Sequence, residues 1–191
     1  MVKRIIIAVF VLLLCAFGYN ATLIPKAPVF TGSLELQGER YAEYTYDNET
    51  NIALDMDGKP ITGVIVKLYN SGGYLEGQLI DGKYEKAVYY NKYDLPSVYV
   101  EYKNGELHGD VFRFDNDTSK VIAHSNYVNG KTDGWAYTKD GHLVFISQYE
   151  NGEVTNTRMY LPFNIISVKF EGERNYTQIL FFKIPMPKEN K

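Results

Sequence analysis

The sequence predicts an all-β fold, an elongated single-layer antiparallel meander of stacked β-hairpins with an N-terminal signal helix. An Asp-Gly or Asn-Gly pair starts at positions 57, 81, 104, 129 and 151, in steps of 24, 23, 25 and 22 residues. Aromatic residues make up 15% of the chain, with 17 tyrosines, and there are 16 glycines, a bias that favours pleated strands and tight turns. Beyond the N-terminus no segment has convincing helical periodicity.

The recurring pair indicates a repeated hairpin turn. Both of its residues tolerate the positive φ that a type I′ turn requires, and the flanking runs alternate as half-buried strands do. A second polar turn falls midway in each unit, so about 23 residues read as strand, turn, strand, turn. A charged residue follows every turn glycine, and these glycines are Gly58, Gly82, Gly105, Gly130 and Gly152.

Aromatic and small residues share the period of the turns. Tyrosine stands two residues before the last three pairs, and a second small residue follows the turn glycine by four or five positions. An alternating aromatic run comes next. We expect the rings to line up on one face as the core, and the small residues to admit a neighbouring backbone or ring. The positions are Tyr102, Tyr127 and Tyr149; Gly63, Ala87, Gly109 and Gly134; and Trp135 and Tyr137.

Two segments carry a resemblance to a known family. Residues 102–109 (YKNGELHG) and 127–135 (YVNGKTDGW) resemble the MORN repeat, in the variant found in bacterial YwqK-like antitoxins. The resemblance covers about residues 53–160. It implies a twisted single-layer sheet of stacked hairpins whose shared positions are structural, with no catalytic residues. It also suggests lipid association, known for other members, and an antitoxin role by family label.

The N-terminus has the three-part layout of a secretory signal. Lys3 and Arg4 precede an uncharged stretch, residues 5–17, and polarity returns at 18–22. We expect residues 1–21 to be a signal peptide, cut after Gly18, or an uncleaved membrane anchor. Cys15, the only cysteine, is read as an apolar residue of this stretch, with lipidation as the alternative. The expected location is the periplasm, cell envelope or exterior.

The segments before and after the repeats have their own predicted structures. Residues 22–32 contain two prolines and predict an extended linker. Residues 33–184 form the MORN-like domain, with repeats at about 53–160 and capping strands on either side. Those caps are strands at 33–37 and 41–46 and a terminal hairpin built from 165–170 and 176–184. Within the hairpin, residues 178–182 are expected to be buried or to pair with a partner chain, and 185–191 form a polar tail.

No motif predicts catalysis, a cofactor or a metal. His108, His124 and His142 are 16 and 18 residues apart, too far for a compact ligand set. Residues 115–119 (DNDTS) resemble half of a calcium loop but lack its glycine and distal glutamate, which favours a polar hairpin turn. No nucleophile-plus-base motif and no phosphate-binding loop is present. A net charge of −3 argues against nucleic acid as a main partner.

These observations predict an exported, non-enzymatic repeat scaffold that binds another protein at the bacterial envelope. The sequence does not identify the partner, and peptidoglycan strands or host surfaces remain alternatives. A second interpretation is a membrane-associated protein, either lipid-binding or anchored by its N-terminus. The third is an antitoxin-like component, which rests on the family label alone.

Overall fold

A computed structural model describes residues 25–160, 166–171, 174–179 and 182–185. All regular structure within these ranges is β, as predicted. Among the described residues no helix is long and apolar enough to cross a membrane. The predicted signal or anchor at 1–21 and residues 186–191 of the predicted tail lie outside the described residues.

One antiparallel meander dominates the fold. The strands are Arg40–Tyr41 (β1), Thr45–Asp47 (β2), Ile52–Leu54 (β3), Gly63–Leu68 (β4), Tyr74–Ile80 (β5), Lys83–Tyr90 (β6), Pro96–Lys103 (β7), Glu106–Phe114 (β8), Val121–Val128 (β9), Lys131–Thr132 (β10), Gly134–Asp140 (β11), Leu143–Glu150 (β12), Glu153–Tyr160 (β13), Ile166–Glu171 (β14), Arg174–Ile179 (β15) and Phe182–Pro185 (β16). The main sheet runs β1-β4-β5-β6-β7-β8-β9-β11-β12-β13-β14-β15-β16, with β10 also paired to β9. Among the described strands, only β1 joins it in parallel, against β4, and β2 and β3 form a separate hairpin.

The phased hairpin turns are confirmed at four of five sites. The first residue of each turn has φ between 49° and 54° and the glycine between 74° and 89°, as a type I′ turn requires. These turns are residues 81–82, 104–105, 129–130 and 151–152. The prediction is wrong at 57–58, where Gly58 alone has a positive φ. There the Asp55 carboxylate accepts the amides of Asp57 and Lys59 at 2.9 and 2.8 Å, which closes a local loop instead.

Each turn is hydrogen-bonded to the unit before it. In every case the amide of the turn glycine donates to a carbonyl of the preceding unit. The bonds run from Gly82 to Ile61 (2.7 Å), Gly105 to Tyr84 (3.2 Å), Gly130 to Leu107 (2.8 Å) and Gly152 to Thr132 (2.8 Å). Successive hairpins therefore support one another at their tips, since a turn amide in an isolated hairpin has only water to bond.

The predicted midway turns lie at the opposite ends of the strands. They connect β4 to β5, β6 to β7, β8 to β9 and β11 to β12. Gly72, Asp94 and Ser119 take a positive φ in the first three loops, and Gly141 does so in the fourth. The strand, turn, strand, turn order is thus confirmed across the middle of the chain.

The segment of residues 25–36, here called the strap, covers one face of the sheet. Phe30, Leu34 and Leu36 pack on the main hydrophobic cluster, whose sheet members are Val64, Val88, Tyr99, Phe112 and Phe114. A free linker at 22–32 and a strand at 33–37 were predicted. The structure instead places part of that linker in the core and gives 33–37 no strand, because the strap is held by side chains rather than by ladder hydrogen bonds.

At the start of the sheet, the β2–β3 hairpin and Ile61 cover the face opposite the strap. Ile65 and Leu79 are 0% and 1% exposed beneath Ala53 of the β2–β3 hairpin and Ile61. Tyr41 and Tyr44 pack against the same cluster, and the predicted strand at 41–46 is split between β1 and β2. Apolar packing thus occurs on both faces, which corrects the expectation of one aromatic face as the core.

The C-terminal hairpin is confirmed in its backbone. β14 pairs with β15 in antiparallel register from Ile166–Ile179 to Glu171–Arg174. The single strand expected at 176–184 is two strands, since β16 pairs back on β15 and includes Pro185, which was assigned to the tail. In the part of the chain that the structure describes, β16 is the last strand of the sheet.

Candidate functional site

The register places the three repeat tyrosines on one face of the sheet, opposite the strap. Tyr102 opposes Leu107, Tyr127 opposes Gly109, and Tyr149 opposes Gly134. Cross-strand partners share a face and side chains alternate along a strand. The three tyrosines therefore lie on the face that carries Ile65 and Leu79, which we call the tyrosine face.

The second small residue of each unit is required for different physical reasons in different units. Gly109 and Gly134 have φ of 97° and 84°, which disfavours any side chain. A Cβ at Gly109 would collide with the Glu101 carboxylate, and one at Gly63 would lie 2.5 Å from the Glu39 carbonyl oxygen. Nothing lies within 4 Å of a Cβ at Gly134, so the predicted close approach is wrong there and backbone conformation is the requirement.

Tyrosines gather on the tyrosine face beside the β2–β3 hairpin. The rings of Tyr84 and Tyr102 lie 5.5 Å apart. Burial raises the pKa of Tyr102 to about 12, and the nearby Tyr89 hydroxyl adds to the shift. Burial likewise raises the pKa of Tyr84 far above its ordinary value. These hydroxyls stay protonated well into the alkaline range, so the two residues contribute packing rather than charge.

The raised pKa of Tyr102 predicts alkaline instability. The folded state favours the neutral phenol, so this contribution is complete below pH 10 and is lost as the pH rises toward about 12. Tyr102→Phe should make the alkaline loss of stability shallower and should change stability at neutral pH by no more than about 1 kcal/mol, because the ring stays packed. Urea unfolding across this pH range measures both effects. Tyr93→Phe, at a 67% exposed ring, is the control, and an equal change in both variants would contradict the assignment.

The strap face carries a polar cluster that the sequence did not reveal. His124 Nε2 lies 2.9 Å from Asp110 Oδ1, and its ring lies 4.4 Å from that of Phe112. The Glu101 carboxylate accepts the Asp110 amide at 3.0 Å and the Tyr99 hydroxyl at 2.9 Å. Within the described ranges no group of three or more His, Cys, Asp or Glu could hold a metal.

The three histidines occupy separate places. His108 accepts the Asn129 amide at 3.4 Å through Nδ1, which ties two successive hairpin turns. His124 belongs to the polar cluster, and His142 lies in the loop between β11 and β12. Their roles are therefore local, and the cluster around His124 orders the sheet through hydrogen bonds that span β7, β8 and β9.

A groove of about 810 Å³ opens on the strap face. Its floor is apolar and comes from the sheet, namely Phe114, Val121, Tyr137 and Val144. Its wall is the strap, from Pro25 to Phe30. Its rim is polar. Asp115, Thr118, Lys120 and His142 come from the midway turns, and Lys139 comes from the end of β11. An apolar floor with a polar rim is the usual construction of a binding site.

The rim of the groove carries charges of both signs. The hydroxyl and amide of Thr118 donate to Asp115, which lowers the pKa of this carboxyl and keeps it ionised. Lys120 and Lys139 supply two cations against this one anion. A groove of this kind suits an extended segment with apolar side chains and accompanying acidic groups.

The remaining repeat residues differ in the space around them and in their exposure. Gly58 and Gly130 have open space where a Cβ would stand, and Gly105 and Gly152 approach Lys83 and Lys131 of the preceding turns. Tyr137 is 5% exposed in the groove floor, whereas Trp135 is 57% exposed on the same face. The alternating aromatic run therefore divides between a buried and a solvent-facing ring.

No family model matches the chain, and no curated protein matches it. The fold and the groove define an all-β protein with hairpin repeats and one open, partly apolar face.

Proposed function

We propose that this protein is an exported, non-enzymatic scaffold of MORN-type repeats that binds a protein partner at the bacterial cell envelope. Its stacked hairpins form an elongated sheet, and the partner lies in the groove beside the strap. The groove carries this proposal, because its size and its apolar floor suit an extended peptide segment.

The contact of the strap with the sheet supports the mode of binding that we propose. It crosses the sheet as an extended segment and inserts Phe30 among Tyr99, Phe112 and Phe114. The Tyr90 hydroxyl of the sheet donates a hydrogen bond to the Leu34 carbonyl of the strap at 3.2 Å. The groove continues the same apolar surface beyond Phe114, so a partner segment would use side chains in the same way.

The position of Pro25 bears on the membrane-associated alternative, which rests on the N-terminal sequence. Pro25 already lines the groove, so residues 18–24 separate the sheet from the apolar stretch at 5–17. Seven residues span at most about 25 Å. If the anchor is retained, the sheet is held close to the membrane surface. N-terminal sequencing of the native protein after cell fractionation separates a cleaved form from an anchored one.

Site-specific photo-crosslinking in intact cells tests the proposed partner. A photo-reactive amino acid at His142, on the groove rim, should yield a discrete adduct with one protein. The matched position is Val154, which is 55% exposed on the tyrosine face of β13, and it should yield none. No adduct from His142, or the same adducts from both positions, would contradict the proposal.

A further inference from the structure

A second, smaller pocket lies on the strap face next to the groove. It measures about 210 Å³ and is lined by Pro25, Trp135, Ile146, Asn156, Arg158 and Tyr160. We propose that it binds a pyranose ring that carries a carboxylate. The pocket shares only Pro25 with the groove, and the proposal does not depend on the proposed protein partner.

The register sets an aromatic ring at each end of the pocket. Trp135 opposes Gln148, Ile146 opposes Arg158, and Tyr160 opposes Val144. On the strap face, these cross-strand pairs form three successive rows of side chains, and each row lies about 7 Å from the next. Ile146 and Arg158 thus form the middle row, between Trp135 and Tyr160, and Pro25 of the strap adds a wall.

The aromatic groups suit the faces of a sugar. Trp135 is 57% exposed, although a large aromatic ring gains most by burial. The C–H groups of a pyranose carry a partial positive charge because of its hydroxyls. They therefore pack on the negative face of an aromatic ring, as the positive edge of another aromatic ring does. The volume of about 210 Å³ is of the order of one such ring.

The polar groups suit the substituents of the ring. Asn156 offers both a donor and an acceptor to hydroxyls, and Arg158 offers the planar fork that binds a carboxylate in bidentate fashion. Arg158 donates a hydrogen bond to the Tyr160 hydroxyl at 3.4 Å. None of the six lining residues is acidic, although the whole chain has a net charge of −3, so this pocket is complementary to an anion.

The same groups argue against a purely apolar occupant. An aliphatic side chain would fill the space over Ile146, but by excluding water it would leave the Asn156 amide and the remaining N–H groups of the Arg158 guanidinium without partners. Leaving such groups unpaired costs more than the bonds gain when they are made. The carboxylate could belong to a uronic acid or to the lactyl ether of an amino sugar, and the probes below distinguish these sources.

Fluorescence titration tests the proposal, because Trp135 is the only tryptophan in the chain. The full chain is titrated with glucuronic acid, N-acetylmuramic acid and glucose. We expect a saturable change in emission with at least one acid and an affinity at least about tenfold above that for glucose. The acid that binds identifies the source of the carboxylate, and binding of both identifies a site for the shared chemistry.

Arg158→Gln should reduce the affinity for the acid by about tenfold and leave that for glucose unchanged. Arg113→Gln removes the same charge at an exposed position on the opposite face of the sheet, between Phe112 and Phe114 in β8, and should change neither. Trp135→Ala, followed by calorimetry, should abolish binding while the thermal midpoint stays near that of the wild type. The proposal is overturned if no acid produces a saturable change, if glucose binds equally well, or if the two charge variants behave alike.

Discussion

Phe30→Ala should lower the free energy of unfolding by about 3 kcal/mol, although Phe30 lies in no strand. Its ring makes edge contacts with Tyr99, Phe112 and Phe114, at centroid distances of 4.8, 5.1 and 5.5 Å. Truncation leaves a cavity in the main hydrophobic cluster and removes three favourable aromatic pairs. The strap is then left with Leu34 and Leu36 to hold it on the sheet.

Urea unfolding followed by circular dichroism measures this effect. Val29→Ala is the matched variant, since Val29 is the neighbouring strap residue and is 79% exposed. It should change stability by no more than about 0.5 kcal/mol. Equal effects at both positions would show that the strap does not belong to the folded core.

Gly82→Ala is the second variant with a large expected effect, about 4 kcal/mol of destabilisation. Its φ of 75° costs an alanine roughly 1–2 kcal/mol. The new Cβ would also collide with Ile52 and lie 2.7 Å from the Ala53 carbonyl oxygen. Overpacking of this kind adds about 1–3 kcal/mol, because the β2–β3 hairpin must move away from the turn.

Gly130→Ala separates the conformational cost of a positive φ from the cost of overpacking. Gly130 has nearly the same φ, 74°, but nothing lies within 4 Å of its Cβ. It should therefore lose only the conformational term, about 1 kcal/mol. Thermal unfolding of both variants gives the comparison, and a Gly130→Ala cost as large as that of Gly82→Ala would contradict the packing of β2–β3 on this turn.

The repeat turns were predictable because their chemistry is local. Asn129-Gly130 and Asn151-Gly152 carry the positive-φ preference in the dipeptide itself, whatever the rest of the chain does. Asp57-Gly58 has the same dipeptide and does not form the same turn. There the Asp55 side chain captures two following amides, which is a competing local structure that the period alone does not expose.

The strap and the two pockets were not predictable in the same way. Pro25 and Pro28 indicate an extended segment, and nothing in their spacing tells whether that segment is solvated or lies on a sheet. The pocket at Trp135 joins residues from three strands and the strap, so it follows from register over more than a hundred residues of sequence. A signal was nevertheless present, since Val29-Phe30 is an apolar pair in a stretch interpreted as a linker.

Hydrogen exchange at the turn glycines tests the central claim, that successive hairpins stack through their tips. The amides of Gly82, Gly105, Gly130 and Gly152 each donate to the preceding unit. They should exchange as slowly as the ladder amides of the neighbouring strands, although turn amides ordinarily exchange fast. Exchange at all four at the rate of a solvated turn would show that these hairpins do not stack as described.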